Sequence, residues 1–97
     1  MRRKRSNRDY NDPFYKRWRR QVYTRDKRCC VLCSSKKRLE AHHIKRWSDF
    51  PQLRFDPNNG VTLCRACHRK VTNFENNWEP LFIKIVAKNN GKKKTDT

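Results

Sequence analysis

The sequence predicts a small α+β domain: a two-stranded hairpin that runs into a helix, with one helix before it and one after it. Three observations predict it. The chain has 97 residues of which 34% are apolar, against roughly 45–50% in an ordinary globular domain, so its core is thin and needs a staple. Two Cys-x-x-Cys pairs, Cys30/Cys33 and Cys64/Cys67, bracket the middle of the chain. The apolar residues follow helical steps of three and four at both ends and short strand-like runs between the cysteine pairs.

The elements follow in order. Asp12-Pro13 is a helix start, a capping side chain followed by proline at the first helical position. Phe14, Trp18 and Val22 then form a stripe at steps of four, read as packing, and the helix ends near Thr24 to Asp26. Cys30 to Cys33 is a metal turn, and Arg38 to Ile44 reads as a strand. Lys45 to Asn59 reads as a long loop broken by Pro51 and Pro57, whose Trp47, Phe50 and Phe55 either close a small core or touch a ligand. Gly60 to Leu63 is a second strand. A helix starts at Cys64, with Cys67, Val71, Phe74 and Trp78 along one side, and a last helix carries Trp78, Leu81, Phe82, Ile85 and Val86. Pro80 is expected in the first turn of that helix, and Asn90-Gly91 is expected to stop it. The domain boundaries read as a basic arm at 1–11, a folded domain at 12–90 and a basic tail at 91–97.

The cysteine count is five, an odd number, and the basic residues 1–12 lack the apolar stretch of a secretory signal. Both points argue against a disulfide framework. Each Cys-x-x-Cys pair puts two thiolates on one side of a tight turn, and together they complete a tetrahedral site for a structural zinc. Cys29 is expected as a half-buried thiol; its use in place of Cys30 would give a less usual spacing.

Lysine and arginine number 26 and the acids 9, a formal charge of +17. Such a chain suits a polyanionic partner, with nucleic acid the first candidate. Residues 1–28 alone hold twelve basic and three acidic residues, and the opening Arg2-Arg3-Lys4-Arg5 reads as a phosphate-contacting arm. No apolar run approaches the ~18–20 residues of a membrane span, so no membrane partner is expected.

All three histidines lie within or beside the cysteine-bracketed segment. Neighbours on a helix point about 100° apart, so Cys67 can face the zinc while His68 faces the hairpin, toward a second site. A divalent ion held there by His42 and His68 would keep open positions, as catalytic metals do, and His43 would be available as a general base near neutral pH. One tension stands: neighbours in a strand point to opposite faces, so His42 and His43 must flank a common ligand or the strand must break at His43. Arg65 and Arg69, one helical turn apart, are candidates for phosphate contact or else a solvated face.

The runs Leu39-Glu40-Ala41-His42-His43-Ile44 and Asn58-Asn59-Gly60-Val61-Thr62-Leu63-Cys64-Arg65-Ala66-Cys67-His68 resemble the HNH endonuclease motif, with its ββα-metal hairpin and helix. The resemblance covers roughly Val22 to Val71. It implies His43 as general base, His42 and His68 as ligands of a divalent ion, Asn59 as the residue that ties down the loop behind the base, and Cys30, Cys33, Cys64 and Cys67 as zinc ligands. It implies cleavage or nicking of double-stranded DNA to a 5′-phosphate and a 3′-hydroxyl, by an intracellular monomer. Many members carry aspartate where this chain has His42; the neutral imidazole shifts the preferred ion from Mg²⁺ toward Mn²⁺, Ni²⁺, Co²⁺ or Zn²⁺. Size, basic arm and layout are most similar to phage HNH proteins that work beside the DNA-packaging terminase, which implies terminase or portal proteins as partners. The alternative class is a zinc-containing DNA-binding accessory protein without turnover, which accounts for the charge and the cysteines but not for the placement of the histidines.

Overall fold

The computed structural model describes residues 11–95; the arm residues Arg2, Arg3, Lys4 and Arg5 lie outside that range. The order is α1 (Pro13–Arg25), β1 (Leu39–His43), β2 (Gly60–Cys64), α2 (Arg65–Val71) and α3 (Glu75–Thr95), with 3₁₀ turns at Pro51–Leu53 and Pro57–Asn59 inside the β1–β2 connection. β1 and β2 are antiparallel, with Glu40 opposite Leu63, Ala41 opposite Thr62, His42 opposite Val61 and His43 opposite Gly60. This is the predicted α+β hairpin-and-helix unit with a helix on either side.

β2 is buried on both faces and β1 half-buried, so two strands suffice. Val61 and Leu63 point into a core built with Ile44, Val71, Phe82, Val86, Cys30, Cys64 and Cys67. The opposite face meets α1, where Tyr15, Trp18 and Val22 pack with Trp47. The buried stripe of α1 is Tyr15, Trp18, Val22 and Arg25, so its lower end is Tyr15 and not the expected Phe14, which is 61% exposed. Asp12 caps the helix as its sequence predicts, accepting from the Phe14 N–H at 2.8 Å.

The approach of α1 to β2 depends on Gly60. A Cβ at that position would lie 2.6 Å from Cζ2 of Trp18 and 2.7 Å from Cγ2 of Val22. Arg25 and Asp26 then close the edge of β2. The two side chains are almost fully buried and paired at 2.8 Å. Arg25 donates to the carbonyls of Pro57 and Gly60 at 2.8 and 2.6 Å. The Asp26 carboxylate accepts from the Thr62 N–H at 2.9 Å and from Asn89 of α3 at 2.8 Å. A carboxylate thus does for Thr62 what a neighbouring strand would do, giving its N–H an acceptor.

The third part of the chain departs from its sequence reading. The helix from Cys64 does not carry its stripe on to Phe74 and Trp78. It ends at Val71, and Asn73 adopts φ 74°, a left-handed conformation that asparagine tolerates better than most residues. The chain turns there and α3 begins at Glu75, so Pro80 sits inside the helix rather than in its first turn. The bond that Pro80 cannot donate is offset by packing, since Phe82 and Val86 are buried against the hairpin and Trp78 stacks on Phe82 at 5.9 Å. Asn90 and Gly91 do not stop this helix, which runs on to Thr95.

Gly60→Ala should lower stability by about 1–3 kcal/mol, the usual range for an overpacked core. Urea unfolding of the zinc-loaded protein reads this directly, and an unchanged midpoint would contradict the close approach of Trp18.

Candidate active site

The four cysteines form one cluster. Sγ atoms of Cys30, Cys33, Cys64 and Cys67 all lie within 4.8 Å of one another, with Cys33 and Cys64 3.6 Å apart. No disulfide joins them. A tetrahedral zinc with ~2.3 Å bonds to sulfur sets S–S edges of about 3.8 Å, so the donor set and its spacing fit structural zinc. The turn that shapes the first pair has Ser34 at φ 68°, with its N–H on the Cys30 carbonyl at 2.9 Å. Cys29 is outside the cluster: its thiol lies 3.3 Å from the Asp26 carbonyl. Cys30 is therefore the fourth member of the set. A hydrogen bond from the Cys67 backbone brings the Cys64 thiol down to about 7, while burial pushes Cys67 up to about 12. Four thiolates do not accumulate side by side without a cation among them, so metal binding here expels protons.

A second concentration of chemistry lies on the other side of α2. A cavity of about 340 Å³ is lined by His42, His43 and His68 together with Arg46, Trp47 and Glu75. The strand does not break at His43. His42 and His43 keep opposite faces of β1 at its C-terminal end, and both rings line the cavity.

His43 is fixed on three sides. Its ring stacks on the Trp18 indole with centroids 4.0 Å apart and planes 9° from parallel. The Trp47 ring stands edge-on at 5.3 Å. Nε2 lies 2.9 Å from the Arg54 carbonyl oxygen. A carbonyl only accepts, so Nε2 carries the proton and the neutral ring has its lone pair on Nδ1. His42 faces the other way, with its centroid 5.9 Å from Phe82 and 5.2 Å from His68. His68 reaches from α2, and its Nδ1 is 3.0 Å from Oε1 of Glu40. The same logic puts the Nδ1 proton toward the carboxylate and the His68 lone pair on Nε2.

Asn59 is buried outside the cavity, beneath the loop. Its Oδ1 accepts from the Lys45 N–H at 2.7 Å, and its Nδ2 donates to the carbonyls of Lys45 and Leu53, each at 3.2 Å. It ties together the two ends of the segment that presents the Arg54 carbonyl to His43. Arg65 and Arg69 are exposed on α2 and do not line the cavity; Arg46 does.

Glu40 and Trp18, which hold two of the histidines, were not read from the sequence as site residues. Glu40 had a usable signal, because it precedes His42 by two positions and so shares its face of β1. Trp18 had none, since its contact with His43 joins segments 25 positions apart and depends on the space left by Gly60.

Residues 30–74 match the family model described as HNH endonuclease. The matched segment holds the four cysteines, the three histidines and Asn59, while α1 with Trp18 and all of α3 fall outside it. No curated protein and no solved structure matches the chain.

Cys64→Ser should abolish stoichiometric zinc and unfold much of the hairpin, because at such a site metal binding and folding are one equilibrium. Metal content with circular dichroism checks this; a native-like spectrum without zinc would refute the staple.

Proposed function

We propose that the protein is a metal-dependent DNA endonuclease in which His43 is the general base and His42 and His68 hold the working divalent ion. The observation that carries this reading is the arrangement of three imidazoles around one cavity, with His43 held by the Arg54 carbonyl and His68 by Glu40. The match of residues 30–74 to the HNH endonuclease model supports it, as does the charge of +17.

The chain's own residues divide the work. The Arg54 carbonyl holds the proton on Nε2 of His43, so Nδ1 accepts a proton from a water aligned with the scissile phosphorus. The Trp18 stack fixes the plane of the ring and favours the imidazolium that forms, an indole face being attractive to a cation. Glu40 orients His68 so that Nε2 is the ligand atom, the usual carboxylate–histidine arrangement at metal sites. The ion, when bound by His42 and His68, supplies charge stabilisation for the phosphoryl and leaving oxygens. With two neutral imidazoles as ligands, Mn²⁺, Ni²⁺, Co²⁺ or Zn²⁺ is favoured over Mg²⁺. Arg46, at the cavity wall, is better placed than Arg65 or Arg69 to meet a phosphate next to the reacting one.

Double-stranded DNA is the proposed substrate, and the site of action is intracellular. The basic arm, Arg2 to Arg5, extends the phosphate contacts. A place beside phage terminase or portal proteins in DNA packaging fits the small size and layout of the chain. Among the described residues no helix is long and apolar enough to cross a membrane.

Plasmid cleavage across a panel of divalent ions tests the assignment. His43→Ala should lower the rate about 10²–10⁴-fold with zinc content and DNA affinity preserved; cleavage at the parent rate would remove His43 as base. No cleavage by the parent protein with any ion would leave the non-catalytic DNA-binding module in its place. Glu40→Gln should weaken Mn²⁺ binding, measured by calorimetry on the zinc-loaded protein, about 10–100-fold. Unaltered Mn²⁺ affinity would separate Glu40 from the ion.

A further inference from the structure

Two large aromatic side chains remain outside both cores and outside the cavity, yet adjoin it. Phe14 is 61% and Phe55 39% exposed. They come from separate parts of the chain, α1 and the β1–β2 connection, and still meet with centroids 5.9 Å apart at 37°. Phe55 in turn meets the edge of Trp47 at 6.0 Å, and Trp47 lines the cavity 5.3 Å from His43. The exposed pair is thus two ring-to-ring steps from the proposed base, a reach of a few nucleotides at about 3.4 Å of axial rise each.

Both signs of charge adjoin the pair: the Asp12 carboxylate accepts from the Phe14 N–H and Asp56 follows Phe55, while Lys16, Arg17 and Arg54 supply the cations. Exposed Lys16 and Arg17 follow Phe14 in α1, and the first turn of α1 has no acidic residue. The Arg54 guanidinium lies over the Trp47 ring at 4.5 Å. Exposed aromatic faces with arginine and lysine close by in the chain suit a ligand that alternates π-faces with negative charges. In an uninterrupted duplex the base faces are hidden by stacking, so only an unpaired base has a face to offer.

We propose that the Phe14–Phe55 pair is a stacking platform for unpaired nucleobases beside the cavity, so that the ligand of this surface is DNA carrying a single-stranded stretch. The proposal rests on the nucleic-acid reading above and adds the form of the substrate: duplex DNA interrupted by a gap, flap or frayed end binds better than continuous duplex. The exposed position of both rings accounts for their absence from the cores, and their proximity to His43 puts the unpaired segment next to the phosphate to be cut.

Fluorescence anisotropy of labelled single-stranded and duplex oligonucleotides of one length tests this, with the full zinc-loaded protein and no other divalent ion added. The double variant Phe14→Ala/Phe55→Ala should lose about 5- to 150-fold in single-strand affinity, and keep its duplex affinity within about twofold. The double variant Phe14→Tyr/Phe55→Tyr, which retains both ring faces, should bind single strands as the parent does. Equal losses for both DNA forms, or no loss for either, would overturn the platform while leaving the nuclease reading in place. Unchanged DNA binding together with loss of self-association in sedimentation would assign the surface to a second copy of the chain and also overturn it. A parent protein that binds neither DNA form would overturn the nucleic-acid reading itself.

Discussion

The Trp18 indole lies between α1 and the hairpin, over the cross-strand pair of Gly60 and His43. Three of its relations matter at once. Its ring edge occupies the volume that a side chain at position 60 would fill. Its face is stacked on His43. Its Nε1 donates to the Asp56 carbonyl at 2.8 Å, which anchors the connection between the strands. A tryptophan can satisfy all three because it combines a wide rigid face with one polar atom. The helix, the loop and the histidine are therefore set relative to one another by a single side chain, and the absence of a side chain at Gly60 is what admits it.

The cysteine cluster fixes the other end of the same hairpin. Cys64 closes β2 and stands at the N-cap of α2, so the metal site determines where α2 leaves the strand. Cys67 is one turn into that helix and His68 is the next residue. The rotation of about 100° between neighbours then turns His68 away from the sulfurs and toward Glu40 and His42. In a core this small, a four-cysteine cluster that would be locked by zinc at one end and an aromatic slab at the other hold the cavity more firmly than the apolar area alone would. The positions of His42 and His68 depend on the first constraint, and that of His43 on the second.

Much of this was legible in the sequence because it is local. The cap at Asp12, the two cysteine turns, the strands around His42 and Gly60, and the helix start after Cys64 each follow from residues within a few positions of one another. Helical rotation alone predicts that His68 turns away from the sulfurs toward the hairpin. What was not legible is long-range or depends on competition between elements. Periodicity continued the stripe of α2 through Phe74, but Asn73 turned the chain because Phe82 and Val86 reach the core only from a separate helix. Phe14 fitted a four-residue step, yet Tyr15 is on the side that meets the hairpin. Neighbouring histidines in a strand seemed to conflict, and the conflict is resolved by a cavity at the strand's C-terminal end that both rings line, which no pattern along one segment reveals.

The few acidic residues are spent on structure, and this shapes the surface that the cations present. Asp12 and Asp56 cap helical turns. Asp26 serves the edge of β2 and pairs with Arg25, a buried pair whose disruption at such sites costs about 3–5 kcal/mol. Glu40 holds His68, Glu79 holds Lys45 and Asp49 meets Arg46. Basic residues outnumber acidic ones nearly three to one, so after these local uses the exposed charge is overwhelmingly positive. With Asp26 the only buried acid among the described residues, and the other ion pairs there at or near the surface, the fold gains little stability from charge and much long-range attraction for a polyanion. The same distribution that strains the isolated chain by self-repulsion is relieved when phosphates line its surface, and the rings of Phe14 and Phe55 lie where such a strand would pass on its way to the histidines.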